Sequence, residues 1–271
     1  MLNLLNSAIS LNPICKMNFK SYMITFTKDE RRLSNFNDVK SKLNNLQLCE
    51  AANAIDYYDI LESMDIKFKF HTKKYLDEWK WLPGKLGCNL SWLLLFKKIQ
   101  LNYSFNPEFP KWFLILEDDT ELLEENIEHK ISGIIEQAEA LDSYFVKFLV
   151  GAGKEKLKNG IVKFSPEIQF SEQHHIKDNF YKLIPSWGNW AQIFRIEAIE
   201  AILSVIPWDD HLDLLLMDSP VFEKLNGVAY KQDFFTYSGA TRLEEADKNF
   251  GSLIYKNSTT GKVDWRKLTR L

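Results

Sequence analysis

Lys111-Trp112-Phe113-Leu114-Ile115-Leu116-Glu117-Asp118-Asp119-Thr120 is an apolar run that ends abruptly in three consecutive acids. A half-exposed strand would alternate with polar residues, so the unbroken stretch from Trp112 to Leu116 predicts a strand buried on both faces of a parallel sheet. The acids then stand at the strand's carboxyl end, where open α/β sheets bind ligands. Adjacent carboxylates repel one another unless a cation or hydrogen-bond donors offset their charge. Mg²⁺ or Mn²⁺ would serve, since both take oxygen ligands and are commonly held by one or two carboxylates plus the phosphates of a substrate. The plainer alternative is a strand that runs into a solvated helix start, with Glu121, Glu124, Glu125 and Glu128 continuing the charge.

Working outward, the chain has 271 residues, 45% of them hydrophobic, enough to bury one large α/β core. Its organisation reads as a weakly specified leader over residues 1–20 and a single domain over residues 21–271. A formal net charge of -3 gives no electrostatic reason to expect nucleic acid, which would call for a basic face. Cys15, Cys49 and Cys88 are widely spaced and form no C-x-x-C pattern, so neither a disulfide framework nor a zinc site is indicated. A cytoplasmic protein is the default expectation. No segment approaches the roughly 18 apolar residues of a membrane span, and peripheral contact, for instance at the inner face of a membrane, stays open.

Upstream, Ser21 to Phe26 predicts a first strand, and Leu33, Phe36, Val39 and Leu43 follow at helical spacing. Between them stand Arg31 and Arg32. Either could reach a phosphate, because a guanidinium matches phosphate oxygens, or simply open a solvated helix. Leu48 to Asp56 suggests a second short strand and its loop, whereas residues 59–82 are too irregular to assign. After Gly84 and Gly87, Leu86, Leu90, Leu93, Leu94 and Leu101 predict a buried helix.

Downstream, residues 121–140 read as a helix with Ile127, Ile131, Ile134 and Ile135 on one face, and Tyr144 to Val150 as a strand. Gly151 and Gly153 are wrongly spaced for a phosphate loop, and His174-His175 reads as a surface pair. The stretch Trp187 to Phe194 leads into a helix with Ile196, Ile199, Leu203 and Ile206 that Pro207 stops. Beyond it Asp209, Asp210, His211 and Asp213 could complete a metal site, supply a general base, or merely cap a helix.

Four of these stretches together resemble glycosyltransferase family 25, the lipooligosaccharide and collagen-type galactosyltransferases. Tyr22 to Leu33 is similar to the family's opening strand and arginine-bearing turn. Gly84-Lys85-Leu86-Gly87-Cys88-Asn89-Leu90-Ser91-Trp92 is similar to its G-x-x-G-C-x-x-S-H signature, Leu114 to Thr120 to its L-I-L-E-D-D, and His211 to Met217 to its P-I-D-x-x-L-x segment. The departures are Trp92 in place of a histidine and His211 in place of a proline.

The resemblance implies a GT-A-like α/β fold, with a central mostly parallel sheet flanked by helices. It also implies transfer of a hexose, galactose first among them, from a UDP-sugar to a glycan, glycolipid or glycoprotein acceptor, with inversion. Under that reading Asp119, with Asp118 or Glu117, would hold Mn²⁺ or Mg²⁺ against the diphosphate, and Asp118, Arg31 and Arg32 would belong to the donor site. Asp213 would be the base on the acceptor hydroxyl, with Asp210 in reserve. Eight tryptophans and ten tyrosines suit a sugar cleft, although most of them will be core. Two other classes stay open: a glycan-binding protein of the same fold without catalysis, favoured by Trp92, and a metal-dependent phosphoryl-transfer enzyme, against which the absence of a D-x-D-G-T pattern counts.

Overall fold

Every residue from Trp112 to Leu116 is buried, and the strand they form lies between two helical layers. The computed structural model describes residues 18–53, 82–150, 153–156, 162–186, 188–205, 212, 216 and 220–237. In chain order these make β1 (Phe19–Thr25), α1 (Glu30–Lys42), β2 (Leu46–Glu50), α2 (Leu82–Phe105), β3 (Trp112–Glu117), β4 (Thr120–Leu122), α3 (Glu128–Ala140) and β5 (Phe145–Lys147). Then come β6 (Gly153–Lys156), β7 (Val162–Ser165), α4 (Pro166–Gln169), β8 (His175–Lys177), β9 (Phe180–Lys182), β10 (Ala191–Arg195), α5 (Ile196–Leu203), α6 (Pro220–Lys224), β11 (Gly227–Tyr230) and β12 (Phe235–Tyr237).

The main sheet has the order β2-β1-β3-β10-β5-β11-β9-β8. β1 lies parallel to β2 and β3, β10 runs antiparallel to both β3 and β5, and β11 is parallel to β5. With β9 antiparallel to β11 and β8 to β9, only β10 and β9 oppose the common direction, so the sheet is mixed but mostly one-way. Two-residue periodicity splits β3 between the layers. Phe113 and Ile115 pack with Trp92, Phe96 and Ile99 of α2 and Ile199 and Ile202 of α5. Trp112, Leu114 and Leu116 pack with Phe36 and Val39 of α1 and Ile131 and Ile135 of α3. This is an α/β fold, as the sequence predicts.

Three expected elements differ. The helix expected over residues 121–140 starts only at Glu128, because Thr120 and Leu122 are buried on alternate positions and pair with Tyr237 and Phe235 as β4 and β12. The strand expected over Tyr144 to Val150 narrows to β5, in which buried Lys147 donates to the Ser186 carbonyl at 2.7 Å. Ala191 to Arg195 form a central antiparallel strand before their helix begins. His174 and His175 stand at the sheet's β8 edge, half-buried and exposed.

Phe194 on β10 lies among the aromatic rings of the α2–α5 layer, with ring centroids 4.8 Å from Phe145, 5.3 Å from Phe96 and 5.9 Å from Trp92. It is fully buried. Phe194→Ala is therefore expected to cost about 3–5 kcal/mol of stability, read as a lowered urea midpoint with an unchanged m-value.

Candidate functional site

The three acids do not converge. Continuing the alternation of β3, Glu117 turns toward α2, where the Trp92 indole Nε1–H donates to its Oε1 at 3.0 Å and Cys88 Sγ lies 3.9 Å away. Asp118 turns toward α1. Its Oδ2 accepts from the Phe26 amide at 3.0 Å, just past the end of β1, and its Oδ1 accepts from the Arg32 guanidinium. The Asn35 side-chain amide adds two donations, to the carbonyls of Asp118 (2.9 Å) and Thr120 (2.8 Å). Arg32 and Asn35 sit one helical turn apart, so a single face of α1 holds the whole strand exit.

That face is set by a helix cap. Asp29 accepts from the amides of Arg31 and Arg32 at 3.0 and 3.3 Å, which starts α1 directly beside the acid turn. The two arginines therefore part company. Arg32 is committed to Asp118, whereas Arg31 is 52% exposed, 3.6 Å from Asp29. Arg31 also lines a hollow of about 560 Å³ with Ser34, Asn35, Asp38, Lys42 and Glu121.

Asp119 retains some exposed surface, but its carboxyl oxygen Oδ1 is enclosed. Burial, and next the neighbouring Asp118 charge, push its pKa up to about 7, against the pull of Arg32 and a hydrogen bond from the Trp190 side chain. Burial raises Asp118 too, although Arg32 and the Phe26 amide favour its charged form. With both ionised, two carboxylates share one guanidinium, and the pair carries an excess negative charge in a poorly solvated place. A divalent cation is suited to that arrangement.

Trp190 closes the site from the side of β10. Its carbonyl accepts from the Glu117 amide at 2.9 Å and from the Thr120 hydroxyl, and its ring stacks on Tyr237 at 4.3 Å with planes 5° apart. Gly188 makes room: its φ is +96°, and a Cβ there would come within 2.2 Å of the Trp190 ring. Only glycine satisfies both demands.

The Gly-Cys-Asn-Leu-Ser-Trp stretch of α2 ties separate segments together. Ser91 Oγ accepts from the Ala52 amide at 2.8 Å and donates to the Gly87 carbonyl at 2.6 Å, Asn89 Oδ1 accepts from the Leu212 amide at 3.0 Å, and Trp92 holds Glu117. The loop after β2, the strand end and the Leu212 segment thus meet on one helical turn. Asp210, His211 and Asp213 lie outside the described residues, as does Trp187. Among the described residues, no three His, Cys, Asp or Glu side chains gather as a metal cage. The parts that sequence reading missed are Asn35, Gly188, Trp190 and Tyr237. Of these Asn35 was signalled by its i+3 spacing from Arg32; the others depend on contacts distant in the chain.

No family model matches the chain, and neither does any curated protein. Solved structures similar to it include a glycosyltransferase involved in the glycosylation of the major capsid of PBCV-1, with 12% identity, 85% of this chain and 98% of that chain covered, and a TM-score of 0.42. A 4-diphosphocytidyl-2C-methyl-D-erythritol synthase from Anaerococcus prevotii aligns with 11% identity over 88% and 97% of the two chains, at a TM-score of 0.39. A putative glucose-1-phosphate thymidylyltransferase from Bacillus anthracis aligns with 8% identity over 87% and 98%, at 0.40. Likenesses of this size assign neither activity nor substrate.

The shift at Asp119 has a sign that stability measurements can read. Its carboxyl is ordinary when unfolded, near 3.8, and titrates at about 7 when folded, so between those values the folded state holds a proton that the unfolded chain has released. Linkage then makes stability fall as pH rises from about 4 to about 7. In metal-free buffer the urea midpoint should therefore be higher at the acid end of this window, and Asp119→Asn should flatten the dependence.

Proposed function

We propose that this chain is a metal-dependent inverting glycosyltransferase that moves a hexose, galactose as the first candidate, from a UDP-sugar to a glycan acceptor. The observation that carries the reading is the Asp118–Asp119 pair at the carboxyl end of β3, beside the end of β1 and the start of α1. In an α/β sheet that position serves a ligand more than the core. Trp92, the one feature that favoured a sugar-binding protein without catalysis, is 1% exposed and spends its indole donor on Glu117, so it marks the core and not a glycan surface.

The donor set suits Mg²⁺ or Mn²⁺ bound by few protein oxygens, with the remainder from substrate phosphates. Asp119 would hold the ion, with Asp118 as its neighbour; Glu117, turned to the other face of β3, is engaged by Trp92. When bound, the ion would offset charge gathering on the leaving diphosphate. Arg31, exposed at the first turn of α1, would meet a phosphate, while Arg32 keeps Asp118 in position. The Trp190–Tyr237 stack offers an aromatic wall for a sugar or base. In the transfer itself, the acceptor oxygen forms a bond to the anomeric carbon as the bond to the diphosphate oxygen breaks on the opposite side. Asp213, with Asp210 in reserve, takes the acceptor's proton.

Two measurements test these roles. Calorimetry of UDP should show binding in Mn²⁺ that is lost in excess chelator, and Asp119→Asn should abolish the difference while lowering kcat/KM by about 10³-fold, a loss of several kcal/mol of charge stabilisation. Equal UDP affinity with and without metal would remove the metal from the reading. Asp213→Asn should retain UDP-sugar affinity and metal dependence but lower kcat by about 10² to 10⁴. Loss of donor binding in that variant would move Asp213 to the nucleotide site, and normal turnover would pass the role to Asp210.

A further inference from the structure

α2 is apolar on both of its faces. Leu90, Trp92, Leu95, Phe96 and Ile99 are buried against the sheet, as a surface helix requires. The opposite side should then be polar, yet Leu94 is 45%, Leu101 57% and Phe105 83% exposed. Steps of seven and four residues align these three along the helix in one stripe. Exposed Lys97 and Lys98 flank the stripe on its two sides. From Leu82 to Phe105 there is lysine but no aspartate or glutamate, in a chain whose formal net charge is -3.

We propose that this stripe docks the protein on an anionic lipid surface, with α2 lying in the plane of the headgroups. Its charge favours an anionic bilayer. The helix carries lysine and no acid although the whole chain is net negative, and at a membrane a lysine stem covers apolar surface while its ammonium reaches the phosphates. An apolar centre with lysine on both flanks matches that setting. None of the described helices is long and apolar enough to cross a membrane, so the contact is peripheral. Trp92, two residues before Leu94, points to the opposite side of the helix and holds Glu117 there. Docking therefore leaves α2, about 10 Å thick, between the lipid and the acid turn, whose Asp118 turns to the sheet's other face.

Co-sedimentation with phosphatidylcholine vesicles, with and without phosphatidylglycerol, tests the proposal on the full chain. Binding is expected only with phosphatidylglycerol and should weaken in high salt. Lys97→Gln and Lys98→Gln should each reduce partitioning about fivefold, and Phe105→Ser about tenfold or more. All three positions are exposed, so an unchanged urea midpoint will show that the fold is intact. Absence of binding to anionic vesicles, or binding that none of the substitutions alters, overturns the proposal. So does a dimer in light scattering that Phe105→Ser dissolves while vesicles are ignored, since the stripe would then join two copies of this chain.

Discussion

Asp118 is 6% exposed, and a carboxylate so placed persists only where donors replace its lost water. The Phe26 amide and the Arg32 guanidinium do so, one from the exit of β1 and one from the first turn of α1. Breaking a pair of this kind by deleting one member typically costs about 3–5 kcal/mol, because the other is left charged and uncompensated. Much of the site depends on this contact. It fixes the exit angle of β3, and through Asn35 it fixes the carbonyls on both sides of Asp119. Asp119 is thereby held close to a second carboxylate, which raises its affinity for protons and would equally raise it for a metal ion.

Glu117 shows the same strand end from its other side. Its partner is a tryptophan, which offers one N–H donor and cannot titrate. A histidine in that place would change charge near neutral pH, whereas Trp92 keeps the contact the same across the range in which Asp119 titrates. Its ring also fills the core beside Phe96 and Phe194. One residue thus packs the α2 layer and anchors the strand exit, which couples the two without an exposed ionic contact.

The buried strand was legible because five apolar residues in a row have few other uses, and α1, α2 and α5 because their apolar spacing exceeds chance over two turns or more. The acids were legible as a candidate site but not as an arrangement. Strand periodicity alone separates Glu117 from Asp118, yet three adjacent carboxylates invite reading as one cluster. β10 was hidden because Ala191 to Phe194 run without a break into the apolar face of α5. β4 was hidden for a different reason: a strand of three residues owes its existence to its partner, and the partner is β12. Gly188 carries its meaning only beside the ring of Trp190, a contact that spacing does not reveal.

The pairing of Thr120–Leu122 with Phe235–Tyr237 has a consequence for the newly made chain. Everything that holds Asp118 from α1 is already synthesised when β3 appears, so that half of the turn can form early. The strand that flanks its far side, and the ring that stacks on Trp190, follow only after most of the domain has been translated. At roughly 5–20 residues per second the wait is on the order of ten seconds. Throughout it Thr120–Leu122 lack the strand they pair with, and their unpaired backbone groups are open to any other extended segment. A chain stalled between Arg195 and Phe235 would have both neighbours of β3 in place, β1 and β10, yet be unfinished at the acids.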